Sequence, residues 1–164
     1  MKRAEHIYEE HAPAMLLYAR QITGNHADAE DALQNGFVRA FSGKSEPPEN
    51  PVPWIYRAIK WAALDILRSR KRRNQLDDQL RDDAGAEAWF KPGEPESGDA
   101  ELLEKLSRLR PEHREIISLK IWSRMTFKEI AGVLDIPANT AASRYRYALD
   151  ALRKTIKPVE ETLS

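Results

Sequence analysis

Thr126-Phe127-Lys128-Glu129-Ile130-Ala131, then Asp135-Ile136-Pro137, then Ala138-Asn139-Thr140, is the stretch on which the reading of this chain turns. Thr126 and Glu129 stand three apart in the capping-box pattern, where the hydroxyl accepts a first-turn N–H and the carboxylate reaches back to the cap. The short helix so opened carries Ile130, Ala131, Val133 and Leu134 and must break at Pro137, because proline moves the preceding residue out of helical angles. A restart at Ala138 gives two short-coupled helices, and Ala131 is small where they cross. That is the layout of a helix-turn-helix, whose second helix lies in a DNA major groove. On a 100° wheel, Ala138, Ala141, Tyr145, Ala148 and Leu152 of this helix face inward. Asn139, Ser143, Arg146 and Tyr147 face outward, with Thr140 and Arg144 at the shoulder. Asn and Arg can read adenine and guanine edges, each good bidentate pair giving about 1–3 kcal/mol of discrimination. Ser, Thr, Tyr and Lys128 suit phosphates.

Working outward, a helix from Pro111 to Trp122 precedes this motif, with proline in its first turn, where the missing N–H does no harm. Before it, Leu102, Leu103, Leu106 and Leu109 form an apolar stripe. Between Asn74 and Asp99 periodicity fails while Asp77, Asp78, Asp82, Asp83, Pro92, Gly93, Pro95 and Gly98 accumulate, the composition of a flexible linker. Trp89-Phe90 stands out in that stretch as a pair that could dock on something. Further upstream, an amphipathic helix runs from Ile7 through Met15 and Ala19 to Ile22 and stops at Gly24-Asn25, and a second runs from Asp28 to Phe41. Gly43 to Pro53 is too rich in proline to be helical throughout. A third helix is expected from Trp54 to Arg73. It turns Ile55, Ala58, Ile59, Ala62, Ala63 and Ile66 to one side and Arg57, Lys60, Trp61, Leu64, Arg68 and Lys71 to the other.

The architecture expected is therefore all-α. A helical bundle over 1–74 and a helix-turn-helix domain over 100–164 are joined by a flexible acidic linker over 75–99, and Pro158 to Ser164 reads as a frayed end. The formal net charge of zero conceals segregation. Residues 1–73 hold 12 basic and 9 acidic side chains (net +3), 74–104 hold 2 and 10 (net −8), and 105–164 hold 12 and 7 (net +5). Two basic ends around an acidic strip suit nucleic-acid contacts at both ends, with the strip repelled by DNA or seated in a cationic groove of a protein partner. No cysteine is present, which excludes disulfides and thiolate metal sites. Met1-Lys2-Arg3-Ala4-Glu5-His6 leads into charge rather than an apolar signal core, and no apolar run can span a bilayer, so a cytoplasmic protein is expected.

Several phrases taken together carry a resemblance. Asp28-Ala29-Glu30-Asp31-Ala32-Leu33-Gln34 with Phe37-Val38-Arg39-Ala40-Phe41, then Trp54-Ile55-Tyr56-Arg57, Leu64-Asp65-Ile66-Leu67-Arg68, Leu109-Arg110-Pro111-Glu112-His113-Arg114-Glu115 and Phe127-Lys128-Glu129-Ile130-Ala131 follow in an order that generic helix-turn-helix regulators lack. In that order and spacing, over nearly its whole length, the chain resembles the bacterial RNA polymerase sigma factors of the extracytoplasmic-function group. The resemblance implies a first domain like region two, with Asp28, Asp31, Gln34, Asn35 and Arg39 contacting the clamp of the polymerase largest subunit. From the residues alone, Asp28 also reads as a helix cap.

The resemblance further makes the third helix the element that meets the minus-ten sequence through Arg57, Lys60, Trp61, Leu64 and Arg68, cations for phosphates beside a surface for unstacked bases. Trp61 stands where the family commonly has asparagine, and the preceding loop, a flipped-base pocket in the family, is here short and proline-rich. The second domain resembles region four, which reads the minus-thirty-five element and touches the polymerase flap, with Ser143, Arg146 and Tyr147 facing DNA. Ala142 replaces a basic residue common in the family. The linker would follow the polymerase's cationic channel, and the implied partners are core polymerase, promoter DNA and an anti-sigma protein.

A free-standing helix-turn-helix regulator is the alternative. It would bind specific DNA tightly without polymerase, whereas two loosely tethered domains unmatched to the promoter would bind weakly alone. An enzyme is disfavoured, since His6, His11, His26 and His113 show no metal-binding spacing and no nucleophile sits beside a base. No cofactor and no small-molecule substrate are expected.

Overall fold

The structure, a computed structural model, describes residues 2–43, 48–76 and 104–163, all of them helices and short connections. The acidic stretch 77–103, with Trp89-Phe90, lies outside the described residues, as do 44–47 of the proline-rich loop.

Three helices build the first half: α1 (Lys2–Thr23), α2 (His26–Ser42) and α3 (Val52–Leu76). The turn between α1 and α2 is made by two residues of different chemistry. Gly24 takes φ 90°, where a side chain would be strained, and its N–H closes α1 on the Arg20 carbonyl at 2.8 Å. Asn25 is extended, and its side chain accepts the Asp28 N–H at 2.8 Å. Asn25 thus caps α2, where the sequence suggested Asp28. Both residue types cap well, and the spare Asp28 carboxylate instead takes Arg70 Nη1 at 3.2 Å, while Arg70 Nη2 donates to the Thr23 carbonyl at 2.6 Å. One arginine near the end of α3 thereby ties down the α1–α2 corner.

The wheel expected for α3 holds: Ile55, Ile59, Ala62 and Ala63 are buried, with Ala58 and Ile66 packed at the edge. Small residues decide how closely α2 and α3 approach. Gly36 is buried against the backbone of Ile59, and a Cβ there would lie 2.8 Å from Ile59 Cα and 2.9 Å from its N. A glycine in mid-helix costs helix propensity, offset here by the close crossing.

In the second half, a helical segment described at 104–107 leads to α4 (Pro111–Ile117), which widens into a π-helical turn (Ser118–Trp122), then α5 (Phe127–Leu134) and α6 (Ala138–Leu163). The expected single helix from Pro111 to Trp122 is thus α-helical only to Ile117. The wider turn places Leu119 wholly inside and leaves Ile121 exposed. Ile116, Ile117, Leu119, Ile130, Val133, Ala141 and Ala148 form the core of this half.

The buried apolar side chains of both halves belong to one connected cluster, with α1 against α4 and the π turn, and α3 against α5. Nothing in the charge pattern foreshadowed this contact, since a flexible tether alone would leave the halves apart.

Candidate nucleic-acid interface

The helix-turn-helix is built as its local sequence dictates. Thr126 Oγ1 accepts the Glu129 N–H at 3.1 Å, and Glu129 Oε1 accepts the Thr126 N–H at 2.9 Å, completing the capping box. α5 stops at Asp135, in the left-handed region at φ 60°, and Ile136 N–H closes on the Ala131 carbonyl at 3.2 Å. The Phe127 ring meets that of Tyr145 at 5.7 Å, joining α5 to α6, and the Lys120 ammonium lies 4.6 Å from the Phe127 ring centre. With Ala141, Ala148 and Leu152 buried, α6 turns Asn139, Thr140, Arg146 and Tyr147 to solvent, while Ser143 and Arg144 are half-buried at its flank. Tyr147 is 69% exposed, an unusual state for an aromatic ring without a partner surface. Lys128 is exposed on α5. Ala138, expected inward, is exposed: as the first residue of α6 it precedes the part of the helix that packs on the core.

On α3, Trp61 is 54% exposed and the Arg57 guanidinium sits 5.3 Å from its ring centre. Next to it is a shallow cleft of about 200 Å³ lined by Arg39, Trp61, Leu64, Asp65 and Arg68. Asp65 Oδ2 takes Arg39 Nη2 and Asp65 Oδ1 takes Arg68 Nη1, each at 2.6 Å. The hydrogen bond from Arg39 does most to hold the Asp65 carboxyl below its usual range, aided by the positive charge of both arginines. The carboxylate therefore stays ionised at neutral pH and fixes both guanidinium groups beside the indole.

The expected site residues are not all free. On α2, Asp31, Gln34 and Asn35 are exposed, whereas Asp28 is engaged by Arg70 and Arg39 by Asp65. Lys60 does not stand beside Arg57 and Trp61 in open solvent: its ammonium lies 3.1 Å from Glu115 Oε2 of α4. Asp65 and Glu115 are not singled out as site residues by the sequence. A carboxylate among cations on a helix wheel is the one signal that could have raised Asp65. Glu115 carries no such local signal.

Residues 7–73 match the family described as Sigma-70 region 2, and residues 106–154 match Sigma-70, region 4. The ECF RNA polymerase sigma factor SigL of Mycobacterium tuberculosis is 30% identical over 161 residues, covering 95% of this chain and 90% of that protein. The chain belongs to the extracytoplasmic-function (ECF) RNA polymerase sigma factors. RNA polymerase sigma factor CarQ of Myxococcus xanthus is 28% identical over 159 residues, covering 95% and 90%. Two solved structures share the sigma factor's fold. The sigma factor RpoE in complex with the anti-sigma factor NepR from Bartonella quintana has TM-score 0.76 and 22% identity, covering 96% of this chain and 98% of that one. CnrH in complex with the cytosolic domain of CnrY has TM-score 0.67 and 21% identity, covering 96% and 90%. The sigma factor directs promoter-specific transcription initiation by RNA polymerase. Among the described residues, no helix is long and apolar enough to cross a membrane, and no cluster of His, Asp and Glu could hold a metal ion.

Proposed function

We propose that this sigma factor divides its work between two outward faces, within domains at 1–74 and 100–164. The exposed face of α2, with Asp31, Gln34 and Asn35, docks on the clamp of core polymerase. Asp28 and Arg39 keep that face in shape through Arg70 and Asp65. Trp61, with Arg57, Leu64 and Arg68, receives the minus-ten element as its duplex opens: the indole offers a stacking surface and the guanidinium groups offer phosphate partners. Asn139, Thr140, Ser143, Arg144, Arg146 and Tyr147 of α6, with Lys128, engage the minus-thirty-five element from the major groove.

One observation carries this reading. Each half leaves a large aromatic ring in water beside arginines, Trp61 on α3 and Tyr147 on α6, although the opposite side of each helix packs on the core, through Ile55, Ile59 and Ala62 in α3 and through Ala141, Ala148 and Leu152 in α6. The chain itself performs no catalysis, which is left to the polymerase, and it works in the cytoplasm. Two structural relatives are complexes with anti-sigma proteins, and a masking partner of that kind is expected here. The test is to add the purified chain to sigma-free core polymerase and map transcript starts on genomic DNA. Starts downstream of a shared pair of upstream elements are expected, and transcription no different from core alone would refute the proposal.

A further inference from the structure

Asp65 is an acid set among cations. Trp61, Leu64, Asp65 and Arg68 stand three and four residues apart, so one side of α3 carries all four, and Arg39 reaches the same place from α2. Together they line the shallow cleft beside the indole. Trp61 is braced from one turn earlier by the Arg57 guanidinium and still has more than half of its surface in solvent. Asp65 lies between two arginines, with Oδ1 bound to Arg68 and Oδ2 to Arg39. Each carboxylate oxygen has two acceptor sites, so one on each oxygen remains after the arginines are served. The Asp65 side chain is half exposed, and these sites can be reached from the cleft. Stability does not account for the acid. Exposed ion pairs contribute little to it, and a carboxylate on a face that meets a polyanion carries an electrostatic penalty.

We propose that this cleft takes one unstacked guanine, laid against Trp61, with Asp65 accepting from its N1–H and N2 amino group and a flanking arginine donating to O6 or N7. The inference rests on the reading of α3 as the promoter-facing helix and adds which base that helix selects. Guanine alone among the DNA bases presents two adjacent donors, which match the two oxygens of a carboxylate. Thymine presents a single N3–H between two carbonyls that the carboxylate repels. Adenine and cytosine each set an amino group beside a ring-nitrogen acceptor, so only one oxygen is satisfied. On its other edge guanine carries O6 and N7, the acceptors that arginine recognises. The hydrogen bond from Arg39 does most to keep Asp65 ionised at neutral pH, and an ionised carboxylate only accepts. Two cations and one anion leave the cleft net positive, so the carboxylate reads the base without driving off the phosphates on either side. In a closed duplex the N1–H is engaged by cytosine, and the cleft therefore reads only a base taken out of the stack.

The test is binding of the full chain, at low salt, to a short fluorescent oligothymidylate strand in which one central thymine is replaced by guanine, hypoxanthine, adenine or cytosine. Hypoxanthine is guanine without the N2 amino group. The guanine strand should bind about three- to tenfold more tightly than the hypoxanthine strand, the worth of one hydrogen bond, and adenine and cytosine should also fall below guanine. In Asp65→Asn the arginines keep the amide oxygen and turn its NH2 group towards the donors of guanine, so the ratio of guanine to hypoxanthine affinity should drop to about one. Equal affinity of the parent for guanine and hypoxanthine would overturn the inference, as would a ratio that survives Asp65→Asn. A preference shared by guanine, hypoxanthine and adenine would mark stacking alone and overturn the role of the carboxylate. The comparison in the parent needs no variant, so it decides the matter whatever a substitution does to folding. Absence of binding, or binding that Trp61→Ala leaves intact, would overturn the reading of α3 together with the inference. Binding that requires Trp61 but ignores the base would overturn the inference alone.

Discussion

Replacing Gly36 by alanine tests the packing on which the first half depends. A Cβ at this position would meet Ile59 Cα at 2.8 Å and Ile59 N at 2.9 Å. Carbon atoms in good contact sit about 3.5–4.0 Å apart. Because the obstacle is backbone, no rotamer change can clear it, and α2 must move away from α3 by roughly 0.7–1 Å. Overpacking of this kind costs about 1–3 kcal/mol, and the upper end applies where two helices must separate. Alanine is better than glycine in a helix by about 0.8–1.0 kcal/mol, so a net loss near 2 kcal/mol is expected. Urea unfolding followed by circular dichroism should show a midpoint about 1 M lower, taking a slope near 2 kcal/mol/M, and a melting temperature about 4–8 °C lower. Gly132→Ala is the matched control, since nothing lies within 4 Å of the Cβ it would add; it should leave the midpoint unchanged or raise it. If Gly36→Ala were as stable as the parent, α2 and α3 could not cross as closely as this geometry requires.

Three further perturbations probe the interface and the junction. Arg146→Ala should relax selectivity for the upstream element and reduce the salt slope of promoter binding by about 0.9 or less; a base-by-base promoter panel with unaltered preferences would remove Arg146 from the reading set. Asp31→Arg, on the exposed face of α2, should weaken association with core polymerase while leaving helicity intact, and equal recovery of variant and parent in a pull-down would contradict the docking face. Burial pushes the Tyr56 hydroxyl up from the ordinary tyrosine value to about 12, against a smaller lowering by the Ser123 hydrogen bond. Burial, with the neighbouring Glu115 carboxylate, likewise raises Tyr18. Above about pH 10 the unfolded chain gives up this proton while the folded chain keeps it, so stability must fall as pH rises from about 10 towards 12. For Tyr56 the loss amounts to about 2–3 kcal/mol. Urea midpoints across that range should fall less steeply in Tyr56→Phe, and identical slopes would show that the Tyr56 hydroxyl is not buried.

What proved legible in the sequence was whatever depends on neighbours three or four residues apart. The Thr126–Glu129 capping box, the break before Pro137, the stripe of Ile55, Ile59, Ala62 and Ala63, and the outward Asn139, Arg146 and Tyr147 all follow from one helix's own periodicity, whereas Ser143, placed outward by the wheel, is half-buried and Thr140, placed at the shoulder, is exposed. Order along the chain was equally informative, because several weakly specific phrases in sequence point to a sigma factor where any one of them would not.

Which partner each polar side chain chooses is a different matter. Asp28, Arg39 and Lys60 are charged residues on solvent-facing positions by wheel alone, and nothing local says that Arg70, Asp65 and Glu115 will meet them. Those meetings span tens of residues and depend on crossing angles and separations of helices, which in turn rest on features such as Gly36 and the π turn at Ser118–Trp122. Helical periodicity tells which side of a helix turns away from its own core. Only the assembled molecule decides which of those outward charges remain in water, because pairing is settled by what a neighbouring helix happens to bring within hydrogen-bonding reach.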